Sequence, residues 1–195
     1  SGRKFLERSE PLEAGKNFEM VSQLTDSMAS ITSQLKTFAR KNPESLSDIN
    51  IRLTLEHVLK YLKPGLDEEG VEVTTNLSND DLIIKADHVR LEQVFTNLIR
   101  NAADAVKDKD KKYVSLTLRE SDQTIEVLVS DTGEGIDAEN LNRIFDPFFT
   151  TKEIGSGLGL GLYISYGIIS DLGGSLKASN NKTGGACFSI SFKRT

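Results

Sequence analysis

Two asparagines lie four residues apart in the run Asn97-Leu-Ile-Arg-Asn101-Ala. On a helix that spacing puts both side chains on one face, one turn apart, so two amide oxygens can meet one cation. Amide oxygens suit Mg²⁺, a hard ion that keeps several waters and takes further ligands from phosphate. Taken alone, the pair reads more simply as the exposed polar face of an amphipathic helix, although asparagine has modest helix propensity and two within one helix invite a reason. Three further blocks follow in order: Asp131-Thr-Gly133-Glu-Gly135, Phe145-Asp-Pro-Phe-Phe-Thr-Thr151-Lys152, and Gly155-Ser-Gly157-Leu158-Gly159-Leu160-Gly161. Asp131 ends an apolar run and can accept a hydrogen bond from an exocyclic amine, with glycines beside it permitting close approach of a ligand. An ordinary turn after a strand accounts for that block about as well. In the third block three aromatics can anchor a segment whose hydroxyls and lysine reach phosphate, and at least one phenylalanine reads as core. The fourth leads into a helix, where backbone N–H groups and the helix dipole favour an anion; a flexible loop is the alternative. Two familiar phosphate motifs are excluded, since no Gly-Lys-Ser/Thr ending is present and Leu160 stands where a dinucleotide fingerprint needs glycine. Together the blocks supply metal-binding amides, a base-reading carboxylate and a cradle for phosphates, the parts of an ATP site.

These residues need elements to hold them. Val89, Leu91, Val94, Phe95, Leu98, Ile99, Ala102 and Ala105 predict a long amphipathic helix from about Asp87 to Val106, carrying both asparagines. Residues 113–118 and 124–130 predict strands joined by a hairpin around Ser121-Asp-Gln123, which places Asp131 at a strand end. A helix over about 160–172 and strands over 175–178 and 186–192 follow, the last two joined by the turn-rich run Asn180-Asn-Lys-Thr-Gly-Gly185. Upstream, Leu53, Leu55, Val58, Leu59 and Leu62 predict a helix that stops at Lys63-Pro64-Gly65, and short strands follow at 71–75 and 82–84. Hairpins among interspersed helices and strands imply a two-layer α/β sandwich with a mixed sheet, not a doubly wound parallel one. Nearer the amino terminus, Val21, Leu24, Met28, Ile31, Leu35 and Phe38 alternate steps of three and four, a heptad seam that expects a partner helix. Ser9 and Pro11 suit its start, and Asn42-Pro43-Glu-Ser-Leu-Ser-Asp48 marks a boundary, dividing the chain into 1–42 and 43–195.

Composition narrows the classes further. The net charge of −5 over 195 residues, with no clustered basic face, argues against nucleic-acid binding. The single cysteine, Cys187, excludes an internal disulfide and fits a reducing compartment. No apolar run approaches the roughly 20 residues that cross a bilayer, so this stretch is expected to be soluble. His57 and His88 are isolated on helical segments, make a poor metal pair, and are expected to be structural.

The four blocks in this order resemble the N, G1, F and G2 boxes of the catalytic domain of two-component sensor histidine kinases, and the likeness runs from about Leu46 to Phe192. It implies the Bergerat ATP-binding fold, with Mg-ATP held between the helical layer and a lid formed by the F and G2 segments. By resemblance Asn101 is the principal Mg²⁺ ligand and Asn97 supports metal and phosphates. Asp131 reads the adenine amine, Gly133, Gly135 and Ile136 shape the adenine pocket, and Thr151 and Lys152 approach phosphate. Gly155 and Gly157 to Leu160 form the lid, and Asp104 lies behind the metal. ATPases sharing this fold carry an acidic residue one helical turn before the metal-binding asparagine, where it activates water. Asn97 occupies that position here, which favours phosphoryl transfer over hydrolysis. The segment Leu24-Thr-Asp-Ser-Met-Ala-Ser-Ile-Thr-Ser-Gln-Leu-Lys-Thr-Phe-Ala-Arg40 is similar to the second helix of the dimerisation and phosphotransfer hairpin, especially in C4-dicarboxylate-transport sensor kinases. That resemblance implies an acceptor histidine upstream of Ser1, a homodimeric parent anchored in the bacterial inner membrane, a cytoplasmic place for this part, and a response regulator as partner. A non-catalytic nucleotide-binding or dimerisation module and a Bergerat-type ATPase remain the alternatives.

Overall fold

The computed structural model describes residues 46–78, 80–152, 158–182 and 184–194. The heptad seam, the truncated hairpin and the boundary at 42/43 lie outside the described residues.

Strand β5 (Thr124–Asp131) is the centre of the fold's logic. Its alternation puts Ile125, Val127, Val129 and Asp131 inward, so three apolar side chains and one carboxylate share a face. Strand β4 (Tyr113–Glu120) lies antiparallel beside it, with Leu116 opposite Val129 and Leu118 opposite Val127. On the other side β7 (Ala186–Lys193) sets Phe188 opposite Val129 and Ile190 opposite Val127. Apolar bands therefore continue across the three strands in register. With β2 (Glu72–Leu77) parallel to β4 and β6 (Ser175–Asn180) antiparallel to β7, the five-stranded mixed sheet has the order β2-β4-β5-β7-β6. A separate antiparallel pair joins β1 (Ser47–Asn50) to β3 (Ile83–Ala86).

Among the described residues three helices form the second layer: α1 (Ile51–Glu68), α2 (His88–Val106) and α3 (Gly161–Asp171). The central one is α2, which touches α1, α3, β4 and β5. Its stripe of Leu91, Val94, Phe95, Leu98, Ile99, Ala102, Ala103 and Val106 is buried, as the 3.6-residue period requires. Asp87 caps it, accepting a hydrogen bond from the Arg90 amide at 3.1 Å. The mixed-sheet, two-layer expectation holds, and α2 spans the residues the sequence predicts.

Two local expectations do not hold. Helix α1 passes through its predicted stop, Lys63-Pro64-Gly65, and runs on to Glu68. Proline removes the bond to the Lys60 carbonyl, but Lys60 and Pro64 are exposed, so water can satisfy that group, while Leu62 and Leu66 continue the buried face. The real stop is Gly70, in the left-handed region at φ 70°, with its N–H on Asp67 O at 3.1 Å and the Val71 N–H on Leu66 O at 2.8 Å. Buried Val71 and Leu66 complete this Schellman cap. The second difference is β1, which lies where the sequence shows only a boundary rich in small polar residues. Asn50 ends β1 and also caps α1, its Oδ1 accepting from Leu53 N at 3.2 Å.

Candidate functional site

Helix α2, the end of β5 and the start of α3 enclose a cavity of about 650 Å³, within the roughly 300–1,000 Å³ of small-molecule sites. Asn97, Asn101 and Asp104 line it from α2, Asp131 from β5, and Gly135 and Ile136 from the loop beyond. Thr151, Lys152, Leu158, Gly159 and Leu160 line the opposite side. Gly133 is not in the wall; its N–H donates to Asp131 Oδ1 at 2.8 Å from below. Gly155 and Gly157 lie outside the described residues.

Asp131 occupies an inward position that the strand pattern otherwise fills with aliphatics, and it is 4% exposed. Oδ1 accepts from the amides of Gly133 and of Ala186, the latter at 3.1 Å, and Oδ2 takes no hydrogen bond from the described residues. Burial pushes the carboxyl above its ordinary range, partly offset by the Ala186 and Gly133 amides. The result is an oriented acceptor at the cavity wall.

The asparagines differ in their surroundings. Asn97 Nδ2 donates to the hydroxyl of Ser165 at 3.0 Å, and Ser165, on α3, is 1% exposed. Asn97 Oδ1 lies against Gly161, where a Cβ would come within 2.3 Å of it. Asn101 is half-buried and its amide makes no hydrogen bond to a described residue. Among the described residues no group of three or more His, Cys, Asp or Glu could hold a metal ion. A sparse set of amide oxygens fits Mg²⁺, whose remaining ligands are waters and phosphate oxygens.

On the opposite side, Lys152 Nζ pairs with Asp104 Oδ2. Gly159 has φ 67°, and a Cβ there would lie 2.3 Å from Phe149 O, so the glycine-rich and phenylalanine-rich segments meet backbone to backbone. Phe145 and Phe149 pack against the core, with Phe145 on Tyr166 at 5.2 Å between ring centroids and the Arg143 guanidinium 4.9 Å over Phe149. Phe148 instead is exposed, at φ 66°. Helix α3 opens with no side-chain cap, and its first residues, Gly161 and Leu162, stand at the cavity. Uncapped amides at a helix start are donors for an anion.

Some contributors have no assigned role in the sequence reading. Arg100 is quoted within the first block, but it also lines the cavity, which therefore has a second cation besides Lys152 in its wall. Ser165 shows no signal, because a serine on an apolar helix looks like any small residue. Asn180 and Asn181 read as turn formers, yet Asn181 Nδ2 donates to Asp131 O at 3.1 Å and to Ala186 O at 3.0 Å. His57 and His88 stand away from the cavity, His57 paired with Glu92 and His88 Nδ1 3.6 Å from the same carboxylate.

A family profile described as "Histidine kinase-, DNA gyrase B-, and HSP90-like ATPase" matches residues 86–195, from the start of α2 through β7. The chain belongs to this family. Its fold is accordingly that of a nucleotide-binding domain, and the cavity between α2, β5 and α3 lies inside the matched region. Among curated proteins, the C4-dicarboxylate transport sensor protein DctB of Rhizobium meliloti (strain 1021) is 32% identical over 194 residues, covering 100% of this chain and 31% of the relative. Sporulation kinase A of Bacillus subtilis (strain 168) is 31% identical, covering 97% of this chain and 31% of the relative. The chain thus spans about a third of the length of the curated relatives it matches. Among solved structures, the catalytic domain of histidine kinase ThkA superposes with a TM-score of 0.68 at 29% identity, covering 77% of this chain and 96% of that one. Among the described residues no helix is long and apolar enough to cross a membrane.

Proposed function

We propose that this chain is the ATP-binding catalytic part of a sensor histidine kinase, passing the γ-phosphoryl group of ATP to a histidine outside the chain. The observation that carries this is Asn97. One helical turn before Asn101 stands an amide tied to Ser165 rather than a carboxylate, so no base is placed there to activate water. Three other lining carboxylates support the same reading, because Asp131 is held by two amides, Glu134 pairs with Lys109, and Asp137 accepts from Asn140. Asp131 Oδ2 accepts from the adenine amine, Ile136 covers the base, and Asn101 with Asn97 faces the phosphates. Lys152 exchanges Asp104 for phosphate, and the uncapped start of α3 donates to it. Asn101, with Asn97, would hold Mg²⁺, which when bound would supply charge neutralisation at the phosphates. Catalysis is positioning and electrostatics: the bond from phosphorus to the bridging oxygen of ADP breaks as the bond to the acceptor imidazole nitrogen forms.

The acceptor belongs to a hairpin for which residues 1–42 supply the end of the first helix and the second helix, with 43–195 as the ATP-binding domain. The parent is a homodimer anchored in the inner membrane with this part in the cytoplasm, and a response regulator takes the phosphoryl group onward. Support for the regulator comes from ThkA crystallised with the response regulator TrrA, which superposes with a TM-score of 0.71 at 25% identity over 88% of this chain, and support for the nucleotide from full-length ShkA solved with AMPPNP at 26% identity. Incubation with ATP labelled at the γ-phosphate, with and without a purified hairpin bearing the histidine, tests the reading. Acid-labile label on the added hairpin alone is expected. Steady phosphate release without acceptor, or no transfer with it, overturns it.

A further inference from the structure

The apolar wall of the cavity is tied to the sheet by a side chain with no assigned role. Asn180, the last residue of β6, clasps Ile136 from both sides: Oδ1 accepts from the Ile136 N–H at 2.7 Å and Nδ2 donates to the Ile136 carbonyl at 2.7 Å. The segment from Thr132 to Ile136 belongs to no helix or strand, so this amide does for it what a ladder partner does for a strand. The preceding residue is shaped to admit the clasp. Gly135 has φ 83°, and a Cβ there would stand 2.8 Å from Asn180 Oδ1. The neighbouring Asn181 donates to the Asp131 carbonyl, so one short turn after β6 holds both the polar and the apolar sides of the cavity.

We propose that Asn180 is a positioning residue for the nucleotide base: it fixes Ile136 against Asp131 and so sets the slot in which an adenine ring lies. This rests on the proposed ATP site. Among the described residues Asn180 makes no hydrogen bond to the phosphate side, and its own side is exposed, so its loss frees Gly135 and Ile136 without opening the core, while other bonds still hold Thr132 to Glu134. A nucleotide then has to order that segment on binding, which weakens the base contribution alone.

The test compares Asn180→Ala and the isosteric Asn180→Asp with the unmodified chain, titrating Mg-ATP, adenosine and inorganic tripolyphosphate by calorimetry and recording thermal unfolding in parallel. Losing two hydrogen bonds that order the loop is expected to weaken ATP and adenosine by the same factor, roughly tenfold, with tripolyphosphate unchanged. Asn180→Asp is expected to lose at least as much, because its second oxygen faces the Ile136 carbonyl with no proton to donate. An Asp variant that binds like the unmodified chain overturns the proposal, since shape alone then suffices. An equal loss for all three ligands with a lowered melting temperature overturns it too, showing general loosening. Failure of the unmodified chain to bind ATP defeats the ATP site itself and the proposal with it. If Asn180→Ala does not fold, the Asp variant, which keeps the side-chain shape, decides alone.

Discussion

Replacing Asp131 with asparagine separates what this residue does for binding from what it does to stability. The variant keeps Oδ1, so the Gly133 amide at 2.8 Å and the Ala186 amide at 3.1 Å retain their acceptor. It converts the unpartnered Oδ2 into an NH₂ group, which meets the adenine amine donor to donor. A hydrogen bond to a charged group is worth about 1.5–3 kcal/mol, so ATP affinity is expected to fall roughly ten- to 150-fold. Guanine presents a carbonyl where adenine has its amine, so GTP should lose less or gain. Stability should move the other way. Burial holds the folded-state pKa above its unfolded value, so this carboxyl contributes stability that is full below the unfolded pKa and lost as pH rises through the folded one. At neutral pH the ionised group is therefore a net cost, and Asp131→Asn removes it. The variant should melt at or above the unmodified temperature at neutral pH, with the advantage fading on acidification. Calorimetric titration with ATP and GTP and thermal unfolding between about pH 4 and pH 8 read both effects. ATP affinity within threefold of the original, or a large loss of melting temperature at neutral pH, refutes the reasoning.

Three further outcomes follow from the same geometry. Gly161→Ala puts a Cβ 2.3 Å from Asn97 Oδ1 and forces that side chain off Ser165; Mg-ATP binding should weaken, with overpacking lowering stability by about 1–3 kcal/mol in urea unfolding. Lys152→Met removes the cation now paired with Asp104; competition titrations should show weaker ATP and unchanged adenosine. Phe95→Ala truncates a fully buried ring on α2, and chemical unfolding should register a loss of about 3–5 kcal/mol.

Much of the site can be read from the chain because its parts are local. Asn97 and Asn101 share a helix face by spacing alone, and the stripe that buries α2 fixes which face is left for the cavity. Asp131 ends a strand whose alternation is plain, and the packed Phe145 and Phe149 agree with phenylalanines read as core. What escapes is set by distant partners. The stop at Pro64 fails because the sequence cannot tell that the proline lies on the wet side of α1. Strand β1 has too weak a pattern to be seen without β3 beside it.

The sequence by itself therefore determines which elements hold most of the candidate residues and which faces they share, since helix and strand periods act over a few residues. Tertiary structure alone decides how those groups are aimed. Ser165 is 68 positions from the Asn97 amide it holds, and Asn180 is 44 from the Ile136 backbone it clasps. Such pairs exist only once α3 lies against α2 and β6 has joined the sheet, because a hydrogen bond's reach is short and only packing brings remote groups within it.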